Sequence, residues 1–264
     1  MEEIQGNSQI RLLTEDNLRL DGRKLDELRP IKLEVGVLSR ADGSAYIEQG
    51  KSKILAAVYG PRELHPRHLA QPDEALLQCI YRMATFSVDE RKSPAPSRRE
   101  TELSKVITES LAPAVFLKYF PRASIDVYIQ VIQADGGTRC SSITAASLAL
   151  ADAGIPLRDL VAACAAGKID GKIALDLSDI EDKNGQADLP VAIMPRKKLT
   201  TLLQMDGFMT KEEFIEAYEL AVKGCQKIYE MQREVLIQKY INIQDEVSEE
   251  SSEQIGEVNK CLIA

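Results

Sequence analysis

The sequence predicts an α+β fold, in which mixed β-sheets are covered by packed helices. Three observations lead to this prediction: short β-rich runs broken by turn residues at 31–60, a strongly alternating strand at 124–133, and a long amphipathic helix at 211–240. The chain has 264 residues, which is long enough for a large buried core. It has no run of about 18 apolar residues, so no membrane span is expected.

Turn residues divide the first half of the chain into short elements. Two glycine-containing turns break residues 31–60 into the strands of a meander, and residues 77–88 form a further strand. Residues 99–120 place apolar side chains at helical spacing. Because proline lacks the amide hydrogen and crowds the preceding turn, Pro113 is expected to bend or break this helix.

The second half begins with a strand, a glycine turn and a helix in direct succession. The strand is 124–133, the turn is 134–139 and the helix, rich in Ala and Leu, is 141–153. Four β-rich runs follow: 161–166, 172–177, 187–194 and 199–204. The last predicted element is the helix 211–240, with apolar residues spaced three and four apart.

Charge and composition restrict the chemistry. The net charge is −8, and the last twenty residues account for −5 of it, with six acids against Lys260. We therefore expect an N-terminal extension at 1–15, a catalytic domain at 16–244 and an acidic disordered tail at 245–264. Because the start of the chain has no apolar signal segment, the protein is expected in the cytoplasm, with no membrane partner and its five cysteines reduced.

The chain has few histidines that could act in catalysis or bind a metal. The two histidines, His65 and His68, lie in one segment, so a Ser-His-Asp triad or a histidine-rich metal site is not expected. No spacing of cysteines indicates structural zinc. Catalysis should therefore depend on Asp, Glu, Arg and backbone amides.

A glycine turn between a strand and a helix is the first functional motif. Residues 135–139 read Asp-Gly-Gly-Thr-Arg. The paired glycines allow successive amides to form a concavity, and the helix N-terminus favours an anion. Thr138 adds a hydroxyl donor and Arg139 a guanidinium suited to phosphate oxygens. The alternative is an ordinary tight turn followed by a surface arginine.

A proline-containing basic loop is the second motif. Residues 91–99 carry Arg91, Lys92, Arg98 and Arg99 with no acid between them. The two prolines restrict the loop, which favours binding to phosphate or to an RNA backbone. The alternative is a solvated loop whose charge is balanced by neighbouring acids.

An acidic segment is the third motif. In EDKNGQADLP, residues 181–190, Asp182 and Asp188 flank a glycine turn that we predict to join two strands. Such a hairpin can direct two carboxylates to one point, where one acts as general acid and both hold a divalent cation. The alternative is the usual preference of aspartate for turns.

Together these motifs resemble the RNase PH family of phosphorolytic exoribonucleases. The resemblance runs from about Leu20 to Tyr240 and includes LDGRKLDELRPI, SRRE, QADGGTR and EDKNGQADLP. VYGPRELHPRHL, SVDERKSPAPSRRE and SLALADAGIPLRDLVA are most similar to the catalytic RNase PH-type subunits of archaeal exosomes. The resemblance implies a ribosomal protein S5 domain 2-like fold and a ring of six subunits.

The resemblance also implies roles for individual residues. It implies that inorganic phosphate, the co-substrate, is bound by Arg99, Gly137, Thr138 and Arg139. Arg98, Arg99 and Arg139 would bind RNA, and we expect Arg67, in a Pro-containing loop, to contact RNA at the entrance of the ring; the alternative is a plain surface loop. Asp182 would be the general acid, and Asp182 with Asp188 would hold magnesium or manganese. Gln186 stands where several relatives have an acid, so no third carboxylate is expected there.

The implied partners are single-stranded RNA, a homologous non-catalytic RNase PH-type subunit in a ring of three heterodimers, and RNA-binding cap subunits. The expected reaction is 3'-to-5' phosphorolysis of RNA to nucleoside diphosphates, with RNA tailing in reverse.

Three alternatives remain: a homohexameric RNase PH that trims tRNA 3' ends, a non-catalytic RNA-binding ring subunit, and a small-molecule kinase of related fold. The kinase is disfavoured because no phosphate-binding GxxxxGK[ST] loop occurs.

Overall fold

Two five-stranded sheets with a buried helix between them form the framework of the protein. The computed structural model describes residues 11–14 and 18–263, so most of the predicted N-terminal extension, 1–15, lies outside the described residues. The first sheet has the order β1-β2-β3-β5-β4, in which only β4 and β5 are parallel. Its strands are β1 (Ile31–Val35), β2 (Gly43–Gln49), β3 (Ser52–Glu63), β4 (Leu76–Met83) and β5 (Ala123–Gln133).

The first helix stops at the predicted proline. Helix α1 (Arg98–Leu111) gives way to a 3₁₀ turn at Ala112–Ala114, with Pro113 in its first positions, and a second 3₁₀ turn follows at Leu117–Tyr119. This confirms the predicted break, since proline cannot supply the amide that the next helical turn needs. Ser97 caps α1, and its side chain accepts a hydrogen bond from the amide of Glu100.

Helix α2 (Thr138–Asp152) lies between the two sheets. It packs on β2 and β3 on one side and on β6 (Ala162–Ile169) on the other, which explains why nearly all of its residues are buried and why its sequence is small and apolar. The second sheet has the order β10-β8-β6-β7, with β9 also paired to β8. Its other strands are β7 (Lys172–Leu175), β8 (Ala187–Met194), β9 (Leu199–Leu203) and β10 (Asp206–Gly207).

Two predicted elements differ from the structure. Asp182 lies in a short helix, α3 (Asp179–Asn184), so the predicted hairpin of two strands is wrong. Ser178 and Glu181 form a capping box that starts this helix. The final helix α4 (Lys211–Ile263) packs on β6, β7 and β8 and includes residues 245–263, where the sequence predicts disorder. Glu, Gln and Lys have good helix propensity and extend a helix that is already nucleated by packing.

Buried ion pairs join the N-terminal segment to the second half of the chain. Arg19, which is buried, bonds Glu181 of α3 through Nε at 2.7 Å. Arg29 Nη2 lies 2.6 Å from Oδ1 of the buried Asp176. Burial alone would raise the pKa of Asp176, but the Arg29 guanidinium lowers it, so the carboxylate stays charged. These pairs fix α3 and the preceding loop in place.

Four cysteines, Cys79, Cys140, Cys164 and Cys225, are free and buried in the described part of the chain, as expected for reduced thiols. Within residues 11–14 and 18–263, no helix combines the length and the apolar character needed to cross a membrane.

Candidate active site

A cleft of about 210 Å³ opens where α2, α3 and β8 meet. Six predicted site residues line this cleft: Arg99, Gly137, Thr138, Arg139, Asp182 and Asp188. Arg67 and Arg98 do not line it. The structure therefore brings the predicted phosphate-binding residues and the predicted acids to one place, although they come from distant parts of the sequence.

The glycine turn must approach α3 closely to form this cleft. Gly136 and Gly137 have φ angles of 72° and 63°, which residues other than glycine rarely adopt. A Cβ atom on Gly136 would lie 2.7 Å from the backbone nitrogen of Asp179. Only glycine fits at this contact, which places the glycine turn against the helix that carries Asp182.

The N-terminus of α2 supplies donors to the cleft. Gly137 is its N-cap, and the first hydrogen bond within the helix runs from the amide of Ser141 to the carbonyl of Gly137. The amides of Thr138, Arg139 and Cys140 come before that bond and lie at the positive end of the helix dipole. These features suit an oxyanion such as phosphate.

A buried tyrosine fixes the hydroxyl of Thr138. Tyr81 Oη donates a hydrogen bond of 3.1 Å to Thr138 Oγ1, and Tyr81 is completely buried on β4. Because a buried tyrosine hydroxyl needs an acceptor, Thr138 accepts here and its own proton is left to be donated elsewhere. Thr138 thereby becomes a donor toward the cleft.

Glu100 holds the basic loop, residues 91–99, next to the cleft. Its side chain accepts hydrogen bonds from Lys92 Nζ at 2.6 Å, Ser97 N at 2.8 Å and Met83 N at 2.9 Å. Burial opposes the charge of Glu100, but these bonds lower its pKa to about 2. The carboxylate therefore stays ionised and ties the start of α1, with Arg98 and Arg99, to the end of β4.

The two predicted acids have unusual electrostatics. Burial raises the pKa of Asp188 to about 7, and the charge of Asp182 adds to the effect. Burial also raises the pKa of Asp182, while Arg99 opposes the rise. Among the described residues, no donor bonds the buried Oδ1 of Asp188. An oxygen in this state is suited to a proton or a cation.

Comparison with known proteins identifies the family. Models of the two domains of the 3' exoribonuclease (RNase PH) family match residues 27–156 and 159–224. The chain belongs to this family. The boundary between the two matches falls between α2 and β6, so the cleft of this 3' exoribonuclease family member contains the glycine turn of the first domain and the two acids of the second.

Relatives in the family cover nearly the whole chain. The chain is 63% identical over 238 residues to "Exosome complex component Rrp41" of Thermococcus onnurineus, with 90% of this chain and 96% of that protein covered. It is 64% identical over 245 residues to the protein of the same name from Pyrococcus furiosus, with 93% and 97% covered. The resemblance to the RNase PH family is confirmed.

Solved structures of the family share the fold. Rice Rrp46 superposes with a TM-score of 0.73 at 26% identity, with 81% of this chain and 98% of that chain covered. A chain of the Archaeoglobus fulgidus exosome with RNA bound to the active site superposes with a TM-score of 0.71 at 22% identity, with 82% and 93% covered. The predicted α+β RNase PH fold is confirmed.

The side chains of this family member fit a divalent cation bound by few protein ligands. No group of three or more His, Cys, Asp or Glu side chains in the described residues could hold a metal. Asp182 and Asp188, with the unpartnered Asp188 Oδ1, would supply two carboxylates, and water and phosphate oxygens would supply the other ligands. Magnesium is commonly bound in this way.

Three residues near the exoribonuclease cleft are missed by the sequence analysis. Tyr81 donates a hydrogen bond to Thr138, and Gln204 accepts one from Arg139. Asp206 of β10 lies opposite Asp188 of β8. In the sequence, Tyr81 is one residue of an apolar predicted strand, and nothing indicates a role in the site. The run 199–204 likewise has no polar pattern that distinguishes Gln204. Asp206 beside Gly207 carried a usable signal, because an Asp-Gly pair marks a turn that can return the chain to β8.

Proposed function

We propose that this chain is the catalytic subunit of an exosome ring and that it shortens RNA from the 3' end by phosphorolysis. The observation that supports this function best is the cleft itself, in which the anion-binding turn at 136–139 lies against the helix that carries Asp182. The relatives named Rrp41 are described as exosome complex components, in agreement with this assignment.

In the proposed reaction, inorganic phosphate is the nucleophile. Arg99, Arg139 and the first amides of α2 would neutralise and orient it. A phosphate oxygen attacks the phosphorus of the last phosphodiester, a new P–O bond forms, and the bond to the 3' oxygen of the preceding ribose breaks. Asp182 donates a proton to that oxygen. The products are a nucleoside 5'-diphosphate and an RNA one nucleotide shorter with a free 3' hydroxyl.

The reverse reaction follows from the same chemistry. The phosphodiester linkage that breaks is replaced by the phosphoanhydride of the nucleoside diphosphate, so no high-energy bond is lost and RNA tailing from nucleoside diphosphates is expected when phosphate is scarce. A magnesium or manganese ion held by Asp182 and Asp188 would supply charge neutralisation at the reacting phosphate. The protein residues contribute orientation of the nucleophile and the proton for the leaving oxygen.

The RNA would approach along basic residues outside the cleft. Arg98 is exposed at the start of α1, beside Arg99. Arg67 is exposed in a 3₁₀ turn and pairs with Glu63 at 2.8 Å. We propose that Arg98 contacts the RNA backbone near the cleft and that Arg67 contacts RNA at the entrance of a ring.

Assembly is part of the same proposal. A chain of net charge −8 with a few basic clusters has little surface for holding RNA, whereas a ring pools these clusters around one strand. Phe208, which is 90% exposed, follows β10 at the edge of the second sheet, and Met205 precedes it with 50% exposed. An apolar sheet edge of this kind favours a partner subunit. We propose a ring of three heterodimers with a homologous non-catalytic subunit, RNA-binding caps and a cytoplasmic location.

Product analysis tests the proposed activity. The full chain, alone and co-expressed with its homologue, is incubated with 3'-end-labelled RNA in buffer with and without phosphate. We expect nucleoside diphosphates, released only with phosphate, and no release by Asp182→Asn. Nucleoside monophosphates would instead indicate hydrolysis and overturn the proposal.

Light scattering after size-exclusion chromatography tests the proposed ring. Full processive activity from a monomer would contradict it.

Two other functions are less well supported. A non-catalytic ring subunit has no need for Asp182 and Asp188, yet both carboxylates line the cleft of this chain. A homohexameric RNase PH would assemble without a homologue, so the chain expressed alone would form a stable active hexamer in the same light-scattering measurement.

A further inference from the structure

Gln204 contacts the predicted phosphate-binding arginine directly. It lies between β9 and β10, and its side-chain Oε1 accepts a hydrogen bond of 2.7 Å from Arg139 Nη1. The contact is partly buried and joins residues 65 positions apart. It therefore depends on the way the second sheet packs against the N-terminus of α2.

The backbone of Gln204 is itself held close to the acids. Its amide donates to the carbonyl of Pro190 at 3.2 Å. Pro190 belongs to β8, two residues after Asp188. Gln204 thus connects the strand that carries one acid to the arginine of the anion-binding turn, and sets where the guanidinium lies relative to the carboxylates.

The contact restricts Arg139 without neutralising it. A free arginine side chain populates many rotamers, and fixing it on binding costs conformational entropy. The amide oxygen of Gln204 is an acceptor with no net charge, so this contact adds no negative charge to that of the nearby Asp182 and Asp188. A carboxylate at the same place would form an ion pair and compete with an anionic substrate.

Arg139 retains donors that the contact leaves unused. In the described part of the chain, its buried Nε has no hydrogen-bond partner. A buried charged donor without a partner is costly, and an oxyanion in the cleft would relieve that cost. The remaining donors of the planar guanidinium are directed by the one that Gln204 holds.

We propose that Gln204 is a positioning residue for inorganic phosphate: it orients the Arg139 guanidinium toward the cleft without adding a negative charge beside it. This inference rests on the proposed function, because it assumes that Arg139 binds the attacking phosphate. Gln204 itself does not touch the substrate. Its effect should therefore appear in the affinity for phosphate rather than in the chemical step.

Two substitutions separate orientation from charge. Gln204→Leu removes the acceptor at similar volume, and we expect about a tenfold rise in the KM for phosphate with kcat changed less than about threefold, since a hydrogen bond to a charged group is lost. Gln204→Glu keeps an acceptor but adds a negative charge, and we expect a larger rise than for Gln204→Leu. A purely structural role predicts the opposite order, because Glu preserves the contact.

Gln186→Ala is the matched control. Gln186 lies near β10, but its Oε1 accepts from the amide of Gly171 at 3.1 Å and does not contact Arg139. We expect its KM for phosphate to equal that of the wild type. Thermal unfolding of all variants shows whether the loss of the contact affects the fold.

Direct binding makes the result independent of turnover. Inorganic phosphate is titrated calorimetrically into the full chain, in the assembly in which it purifies, for wild type and both Gln204 variants. Weaker phosphate binding in the order wild type, Gln204→Leu, Gln204→Glu supports the inference. Equal phosphate affinity of the three overturns it. A wild type that binds phosphate but releases no nucleoside diphosphate from RNA contradicts the proposed function and leaves the positioning result standing.

Discussion

Asp206 lies directly opposite Asp188 across the antiparallel pair of β10 and β8. Opposed residues in such a pair have side chains on one face, so two like charges there destabilise each other. The charge of Asp206 adds to burial and to Asp182 in raising the pKa of Asp188. The site therefore concentrates negative charge where the proposed reaction needs a proton and a cation.

Ionisation of Asp188 should cost stability at high pH. Its pKa is raised from 3.8 to about 7 in the folded protein, so the unfolded chain loses this proton at lower pH than the folded chain. Stability therefore falls as the pH rises between these two values, and the loss is complete above about pH 7. We expect Asp188→Asn to raise the melting temperature at pH 8, and to raise it progressively less as the pH falls to 5.

Calorimetry in buffers with chelator measures this difference without a bound cation. Added magnesium should stabilise the wild type more than Asp188→Asn, because the cation compensates the buried carboxylate. A melting temperature of Asp188→Asn that stays below that of the wild type at pH 8 would show that the carboxylate stabilises the fold.

Asp182→Asn should abolish turnover without abolishing RNA binding. General acid catalysis contributes about 10²- to 10⁴-fold, so we expect kcat to fall at least about 100-fold. RNA affinity, measured on the same preparation, should change little. A parallel loss of RNA binding would assign Asp182 to the structure of α3.

Removal of either cleft arginine should increase the requirement for phosphate. Arg139→Ala and Arg99→Ala each delete a charge-assisted contact of about 1.5–3 kcal/mol, so the KM for phosphate should rise at least about tenfold. Arg98→Ala is the adjacent control, since Arg98 does not line the cleft, and it should weaken RNA binding instead. If the phosphate dependence of the rate is unchanged in both cleft variants, phosphate binds elsewhere.

Tyr81→Phe should weaken phosphate binding through Thr138. The variant removes the hydroxyl that donates to Thr138 Oγ1 and frees the threonine hydroxyl to rotate. We expect a rise of about fivefold in the KM for phosphate, consistent with the loss of one neutral hydrogen bond. Tyr128→Phe, at an exposed tyrosine of β5, is the control. A KM equal to the wild-type value in Tyr81→Phe would exclude the role of this hydrogen bond.

Arg67→Glu should impair long RNA substrates more than short ones. Arg67 is exposed and lines a different pocket from the cleft residues, so we expect that a short RNA bound at the acids does not need to touch it. Affinity for long RNA should fall and depend less steeply on salt. Lys105→Glu, on the exposed face of α1, provides the comparison. Equal effects on both lengths would place this loop outside the RNA path.

The sequence predicts the fold and most residues of the candidate site because both depend on local patterns. The break after α1 follows from Pro113, and the tight turn before α2 follows from its paired glycines. The short helix around Asp182 had one local signal, the capping box of Ser178 and Glu181, which the sequence analysis did not use. The buried pair of Glu181 with Arg19, which fixes this helix in place, appears in no local pattern.

Gln204 and Tyr81 are beyond sequence reasoning for a related reason. Each makes one hydrogen bond to a residue of α2 that is distant in the sequence. A glutamine in a β-rich run and a tyrosine in an apolar strand look the same with or without such a bond. Residues that orient others become visible only when the strands and the helix are placed in space.

The ion pair between Arg19 and Glu181 spans 162 positions of sequence, which has a consequence for synthesis of the protein on the ribosome. When the glycine turn has left the ribosome, α3 and β8 have not yet been made, and the segment at Arg19 has no partner. Domains fold as units once their sequence is complete. A partly translated chain therefore has the glycine turn but not Asp182 and Asp188, and we expect it to be unable to degrade the messenger from which it is being translated.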